Sequence, residues 1–329
     1  MPEYGHHLSA KAAADIGESP LVYAIGDIHG SLQKLRDLMT LCEQHAEGRS
    51  ATFVFLGDNI DRGPDSRGVI EALMALQSQQ PDHVIALKGN HEAFAIEVVD
   101  GERDAEFWLR EGGAATLRSY RIDDARDLPY AHVSWLRSLP LCYDDGQRFF
   151  VHAGIDPEKP LDAQSDHDLI WIREPFLSDA RDYGRLIVHG HTPQTDGIPD
   201  FRGNRLNLDT GAVFGRPLTA AAFARAQRDP LGFLQGALTG DSRGNLPRSS
   251  WSPTGKALRQ RPRDANIALW FAWAGRSGRE TQNSKLARGA HGARSDAINA
   301  AQSGRGRGQG PKAESAKAAH GLDRSAACL

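Results

Sequence analysis

Five short clusters in this chain collect side chains that bind cations: Gly26-Asp27-Ile28-His29-Gly30, Gly57-Asp58-Asn59-Ile60-Asp61-Arg62-Gly63, Gly89-Asn90-His91-Glu92, His152-Ala153-Gly154 and His189-Gly190-His191. Each is weak alone. An Asp after a strand commonly caps a helix, a glycine there commonly marks a turn, and a lone His is commonly a satisfied core residue. Carboxylates, an amide and imidazoles recurring in this order, most of them at the end of an apolar run, instead make a metal site the expected chemistry.

The elements that must carry these groups are legible. Leu21–Ile25, Thr52–Leu56 and His83–Leu87 read as strands, each ending in one of the clusters. A helix is expected from a cap at Ser31 to about Gln44, with Leu32, Leu35, Leu38 and Leu41 as its apolar stripe. A second starts at Pro64, with Val69, Ile70, Leu73 and Leu76 inward, and a third follows Asn90. Repeated strand–turn–helix units imply a largely parallel sheet, and in such sheets functional groups gather beyond the strand ends. Residues 100–147 read as helical and connecting, with Trp108, Leu117, Trp135 and Leu136 as core and a role in the substrate-facing surface. Strand-like runs return at Phe149–His152, Leu186–His189, Arg205–Leu208 and Leu218–Phe223. The expected fold is α/β: a two-sheet β-sandwich flanked by helices.

Composition sets limits. The 329 residues are 40% hydrophobic and 25% charged with net charge -3, values of an ordinary globular protein with no overall pull toward nucleic acid or membrane. No apolar stretch approaches the roughly 18–20 residues of a membrane span, and Met1–Pro20 lacks the pattern of a secretory signal. Cys42, Cys142 and Cys328 are too few and too scattered for a disulfide framework or zinc cluster, so three separate thiols and a reducing, cytoplasmic compartment are expected. Residues 241–329 hold 16 of the 39 Lys and Arg but 6 of the 42 Asp and Glu. With Gly/Ser/Ala/Arg tracts such as Ser303–Gly308, this segment reads as a basic, disordered tail. The division expected is a loose lead-in at 1–20, a catalytic domain at 21–240 and the tail at 241–329. Nucleic-acid contact by the tail is the weakest of its readings.

The order GDxHG, GDxxDRG, GNHE, HAG, GHT resembles the signature of the calcineurin-like metallophosphoesterases. The arginine in Gly57–Gly63 is similar to that of the phosphoprotein phosphatase branch, which also holds the diadenosine tetraphosphatases. Asp168–Glu174 (DLIWIRE), Gly190-His191-Thr192-Pro193 and Asp209–Phe214 (DTGAVF) resemble the phage-lambda-type and bacterial serine/threonine protein phosphatases. The resemblance covers about residues 21–223. It implies the calcineurin-like metallophosphatase fold and two divalent metal ions, which clamp a phosphate and activate a water. Asp27 and His29 would hold the first ion, Asn90, His152 and His191 the second, and Asp58 would bridge them. The oxygen and nitrogen donor set suits manganese, with iron or zinc as alternatives. Asp27 and His29, two apart on extended backbone, can point the same way.

The resemblance further implies that His91 is the general acid, with Asp61 holding its tautomer, rather than a metal ligand. Arg62 and Arg173 would clamp phosphate through paired donors; Arg173 could instead pair with Glu174. His132, His167 and His189 are read as structural. Asn59 stands where relatives often carry an aromatic residue and is expected to touch the pocket wall at most. The activity implied is hydrolysis of protein phosphoserine or phosphothreonine by in-line attack of a metal-bound hydroxide. The alternatives are symmetrical hydrolysis of diadenosine tetraphosphate and, from another class, an inactive scaffold or binding module. The partner expected is therefore a phosphorylated protein or other phosphoester, with no membrane; oligomeric state is not legible.

Overall fold

The structure, a computed structural model, describes residues 19–236 together with 328 and 329. Three strand–helix units come first: β1 (Leu21–Ile25), α1 (Leu32–Ala46), β2 (Ala51–Phe55), α2 (Ser66–Gln79), β3 (Val84–Ala86) and α3 (Asn90–Val99). A helical stretch follows: α4 (Ala105–Trp108), a π turn over Leu109–Gly113, α5 (Ala114–Tyr120) and α6 (Tyr130–Ser138). The second half holds β4 (Cys142–Asp144), β5 (Arg148–Val151), α7 (Asp166–Trp171), β6 (Leu186–His189), β7 (Asp200–Phe201), β8 (Arg205–Asn207), β9 (Thr219–Ala224) and β10 (Gly232–Gln235).

Two five-stranded sheets form, in the orders β10-β9-β1-β2-β3 and β4-β5-β6-β8-β7. The β1-β2-β3 and β5-β6-β8 cores are parallel, whereas β9, β10, β4 and β7 add antiparallel edges. The expectation of a largely parallel sheet therefore holds for the centres and gives way at the edges, where β9 runs antiparallel to β1 and β10, β4 and β7 each pair antiparallel with the strand next to them in the chain. Alternation divides the core. Val22, Ala24, Val54 and Ile85 meet Phe150, Leu186, Val188 and Leu206 between the sheets. Tyr23, Ile25, Phe53 and Phe55 point the other way, onto Leu35, Leu38, Val69 and Leu73 of α1 and α2. Burial on both faces explains why these strands read as continuous apolar runs.

Several local details differ from expectation. Ser31 precedes α1 but its side chain makes no capping bond. The cap of α2 is Asp65, whose Oδ1 accepts the Gly68 N–H at 2.9 Å, so Pro64 lies outside the helix. Among the predicted core residues Trp108, Leu117 and Leu136 are buried, and Trp135 is half-buried. Cys142 and Cys328 are joined as a disulfide, where three separate thiols were expected; Cys42 remains free and buried. Leu329 pairs with the open edge of β4, its N–H donating to the Cys142 carbonyl at 3.1 Å. A partner 186 residues away is invisible to spacing. Apart from 19–20 and 328–329, the lead-in and tail lie outside the described residues. Among the described residues no helix is long and apolar enough to cross a membrane.

Candidate metal centre

The predicted site residues converge beyond the strand ends, and an unusual backbone puts them there. Positive φ in a non-glycine residue is uncommon and concentrates at functional sites. Among the described residues seven non-glycines have it, and five belong to the clusters: His29, Asp58, Asp61, Arg62 and His191. The other two, Glu47 and Arg121, end helices. His29 sits in a turn with φ 45°, so Asp27 and His29 are not related by strand alternation as expected. The turn is held by the His29 N–H, which donates to the Asp58 carbonyl at 2.8 Å.

Asp58 lies at the centre. Its Oδ1 is 3.3 Å from His152 Nε2 and its Oδ2 is 3.5 Å from His29 Nε2, so its two oxygens face different imidazoles. Two groups could each hold a cation: His29, Asp58 and His91, and Asp58, His152 and His191. Asn90 joins the second, its Oδ1 2.9 Å from both His152 Nε2 and His191 Nδ1. Asp27 stands outside both groups, buried beside His191, whose N–H it accepts at 3.2 Å.

The donor atoms themselves fit a metal. His29 Nδ1 donates to the Ile60 carbonyl and His152 Nδ1 to the Leu56 carbonyl, at 2.8 and 2.9 Å. Such bonds fix the tautomer and leave Nε2 as a bare lone pair. Burial pushes both imidazoles toward the neutral form, His29 down to about 3. His152 Nε2 thus meets the Asn90 and Asp58 oxygens lone pair to lone pair, an arrangement a cation reconciles. Burial also works against an ionised Asp58, and its carboxyl lies well below the usual range only through positive charge on the histidines around it, a charge that bound cations would supply in their place. Asp27 is pushed the other way, by burial and then by the neighbouring Asp209 and Asp58 charges. That excess of buried negative charge is what divalent ions neutralise.

His91 differs from the other imidazoles. Its Nδ1 is 2.8 Å from Asp61 Oδ2, and both residues are buried. Burial disfavours its charge, but Asp58 and Asp61 together outweigh that and raise its pKa. With Nδ1 occupied, Nε2 is the atom left for the cleft, 3.9 Å from Asp58 Oδ2. Arg62 Nη1 donates to His29 Nε2 at 2.7 Å, and Arg173 lines the same cleft. Glu174 accepts instead from Ser178.

Three findings were not expected. Glu92 is buried, and its Oε1 and Oε2 accept the N–H groups of Asp58, Asn59, Ile60 and Gly89 at 2.8–3.3 Å. The final Glu of the Gly89–Glu92 cluster was the available signal. Asn59 is wholly buried and does not touch the pocket wall; its amide atoms have no partner among the described residues. Beyond the metal-facing groups the cleft is aromatic, lined by Phe94, Phe107 and Trp171. His189 is buried edge-on to Phe176, and its pKa is pushed down to about 3, chiefly by burial.

Residues 20–218 match the family model described as calcineurin-like phosphoesterase. The chain is 29% identical to the asymmetrical bis(5'-nucleosyl)-tetraphosphatase of Oceanobacillus iheyensis, over 60% of this chain and 87% of that one. It is 28% identical to serine/threonine-protein phosphatase 1 of Salmonella typhimurium, over 61% of this chain and 90% of that one. A solved structure of a candidate diadenosine tetraphosphatase superposes with a TM-score of 0.50 at 23% identity, covering 67% of this chain and 95% of that one, which speaks for the fold.

Proposed function

This chain belongs to the calcineurin-like phosphoesterase family, and from that premise we propose that it hydrolyses phosphoserine and phosphothreonine in proteins. The observation that carries the reading is the buried His91–Asp61 pair. A serine or threonine alkoxide leaves poorly and needs a proton as its bond to phosphorus breaks. The nucleotide expelled from a dinucleoside polyphosphate needs far less help.

Two divalent ions, manganese first among the candidates, would neutralise phosphate charge and activate a water. Asp27, His29 and Asp58 would hold one; Asp58, Asn90, His152 and His191 would hold the other. Arg62 and Arg173 bind the phosphate oxygens, since a guanidinium offers two parallel donors and stays charged. His91 gives its Nε2 proton to the leaving alkoxide as the phosphorus–oxygen bond breaks and the bond to water forms. Asp61 keeps Nδ1 protonated and the ring aimed. Among the described residues no serine, threonine or cysteine lines the cleft, so displacement is direct and in line, with charge stabilisation supplying most of the rate.

A second reading, cleavage of dinucleoside tetraphosphates, draws support from Phe107 and Trp171 at the cleft, where a base could stack. The deciding experiment loads metal-free protein with Mn²⁺ and compares a phosphothreonine peptide with diadenosine tetraphosphate. His91→Asn and Asp58→Asn serve as controls. Peptide turnover that needs metal and collapses in both variants is expected. Preference for the dinucleotide would replace the substrate, and no turnover of either with metal bound would sink both readings.

A further inference from the structure

Asp61 is held from outside the metal-binding clusters. Its Oδ2 accepts the Trp108 indole N–H at 2.8 Å, on the same oxygen that faces His91 Nδ1. Its Oδ1 accepts the Thr116 hydroxyl at 2.6 Å. The Asp61 N–H, in a left-handed backbone with φ 71°, is shared by Ser66 Oγ at 3.0 Å and Thr116 Oγ1 at 3.1 Å. Ser66 Oγ and Thr116 Oγ1 are themselves 2.9 Å apart. All four side chains are buried. Gly113 makes room for the indole: a Cβ there would overlap the Trp108 ring.

We propose that Trp108 and Thr116 are positioning residues for the general acid, acting through Asp61 and touching neither metal nor substrate. The inference rests on the phosphatase reading above. A buried carboxylate with a single partner can rotate and let the imidazole turn with it. With a donor on each oxygen besides His91, Asp61 keeps one orientation, and the His91 ring is fixed with Nε2 toward the cleft. The helical segment 105–120 is thereby a support for proton delivery as well as a wall.

A merely structural role and a positioning role separate by leaving group. A general acid contributes about 10²–10⁴-fold when the leaving group is a strong base and little when it leaves without a proton. The test measures kcat at saturating Mn²⁺ on a phosphothreonine peptide and on 2,4-dinitrophenyl phosphate, with bound metal counted for each variant. Trp108→Phe keeps a ring and removes the donor; Thr116→Val keeps the shape and removes the hydroxyl; Thr116→Ser restores it. The expected result for Trp108→Phe and Thr116→Val is a loss of about tenfold or more on the peptide, under about threefold on the aryl ester, with metal content and KM unchanged. Thr116→Ser should recover most of the peptide rate. Equal losses on both substrates, or none on the peptide, would overturn the inference while leaving the phosphatase reading intact. Lack of metal-dependent turnover in the unaltered chain would overturn both. If Trp108→Phe does not fold, the Thr116 pair decides alone.

Discussion

The backbone N–H of Asp58 donates to Glu92 Oε2 at 2.9 Å, so the residue at the centre of the candidate metal site hangs from a buried carboxylate on the next strand–helix turn. The same Glu92 receives three further N–H groups from Asn59, Ile60 and Gly89. It clamps two of the five clusters together without facing the cleft.

Glu92→Gln therefore tests the frame of the site. One carboxylate oxygen becomes an NH₂ that faces backbone donors, leaving at least one N–H unsatisfied, at a cost of about 1–3 kcal/mol. Because Asp58 shifts with its backbone, metal affinity should fall about 10–100-fold. Urea unfolding and metal titration read the two effects, and an unchanged metal affinity would show that Glu92 does not control Asp58.

Gly190→Ala probes Asp27 from behind. A Cβ on Gly190 would overlap the Asp27 carboxylate, which accepts the neighbouring His191 N–H. The carboxylate must move, so metal affinity should drop about tenfold or more with little loss of fold. Full metal occupancy at the native affinity would remove Asp27 from the ligand set.

Arg148→Ala addresses the join between the sheets. Arg148 is wholly buried; it pairs with Asp145, donates to the Ala224 and Arg225 carbonyls, and lies 4.7 Å above the Phe223 ring. Removing it leaves a poorly exposed carboxylate and carbonyls of the segment after β9 without their partner, for an expected loss of about 3–5 kcal/mol in urea unfolding. A loss under 1 kcal/mol would mean that the pair contributes little.

Cys42 should resist alkylation in the native protein and react only on unfolding. It is buried in α1, and burial first, then Glu43, hold its thiol protonated and far above its usual pKa; the thiolate is the reactive form. Rapid labelling of the folded chain at neutral pH, traced to Cys42 by peptide mapping, would contradict the packing of α1 on β1.

The strand–glycine–helix rhythm and the types of the site residues were legible because both are local. A parallel strand buried on both faces must be an apolar run, and the turn after it must carry the polar groups it exposes. β1 and β6 were read with the bounds they have. The same locality hid the rest. β4, β7 and β10 are edge strands of three, two and four residues, too short to show an alternating pattern, and each is defined by its pairing with the neighbouring strand. The Cys142–Cys328 bridge spans 186 residues. That Asn59 turns inward, away from the pocket, follows from a left-handed turn at Asp58 that no residue type announces. Trp108 read only as core and Thr116 only as part of a helical stretch, and only the tertiary fold aims an indole N–H and a hydroxyl at Asp61, some fifty residues earlier in the chain. The sequence by itself determined which atoms can bind metal and phosphate, since that depends on side-chain chemistry. The tertiary structure decided which of them meet and what holds them still, since a hydrogen bond is set by distance and direction between elements that no local pattern relates.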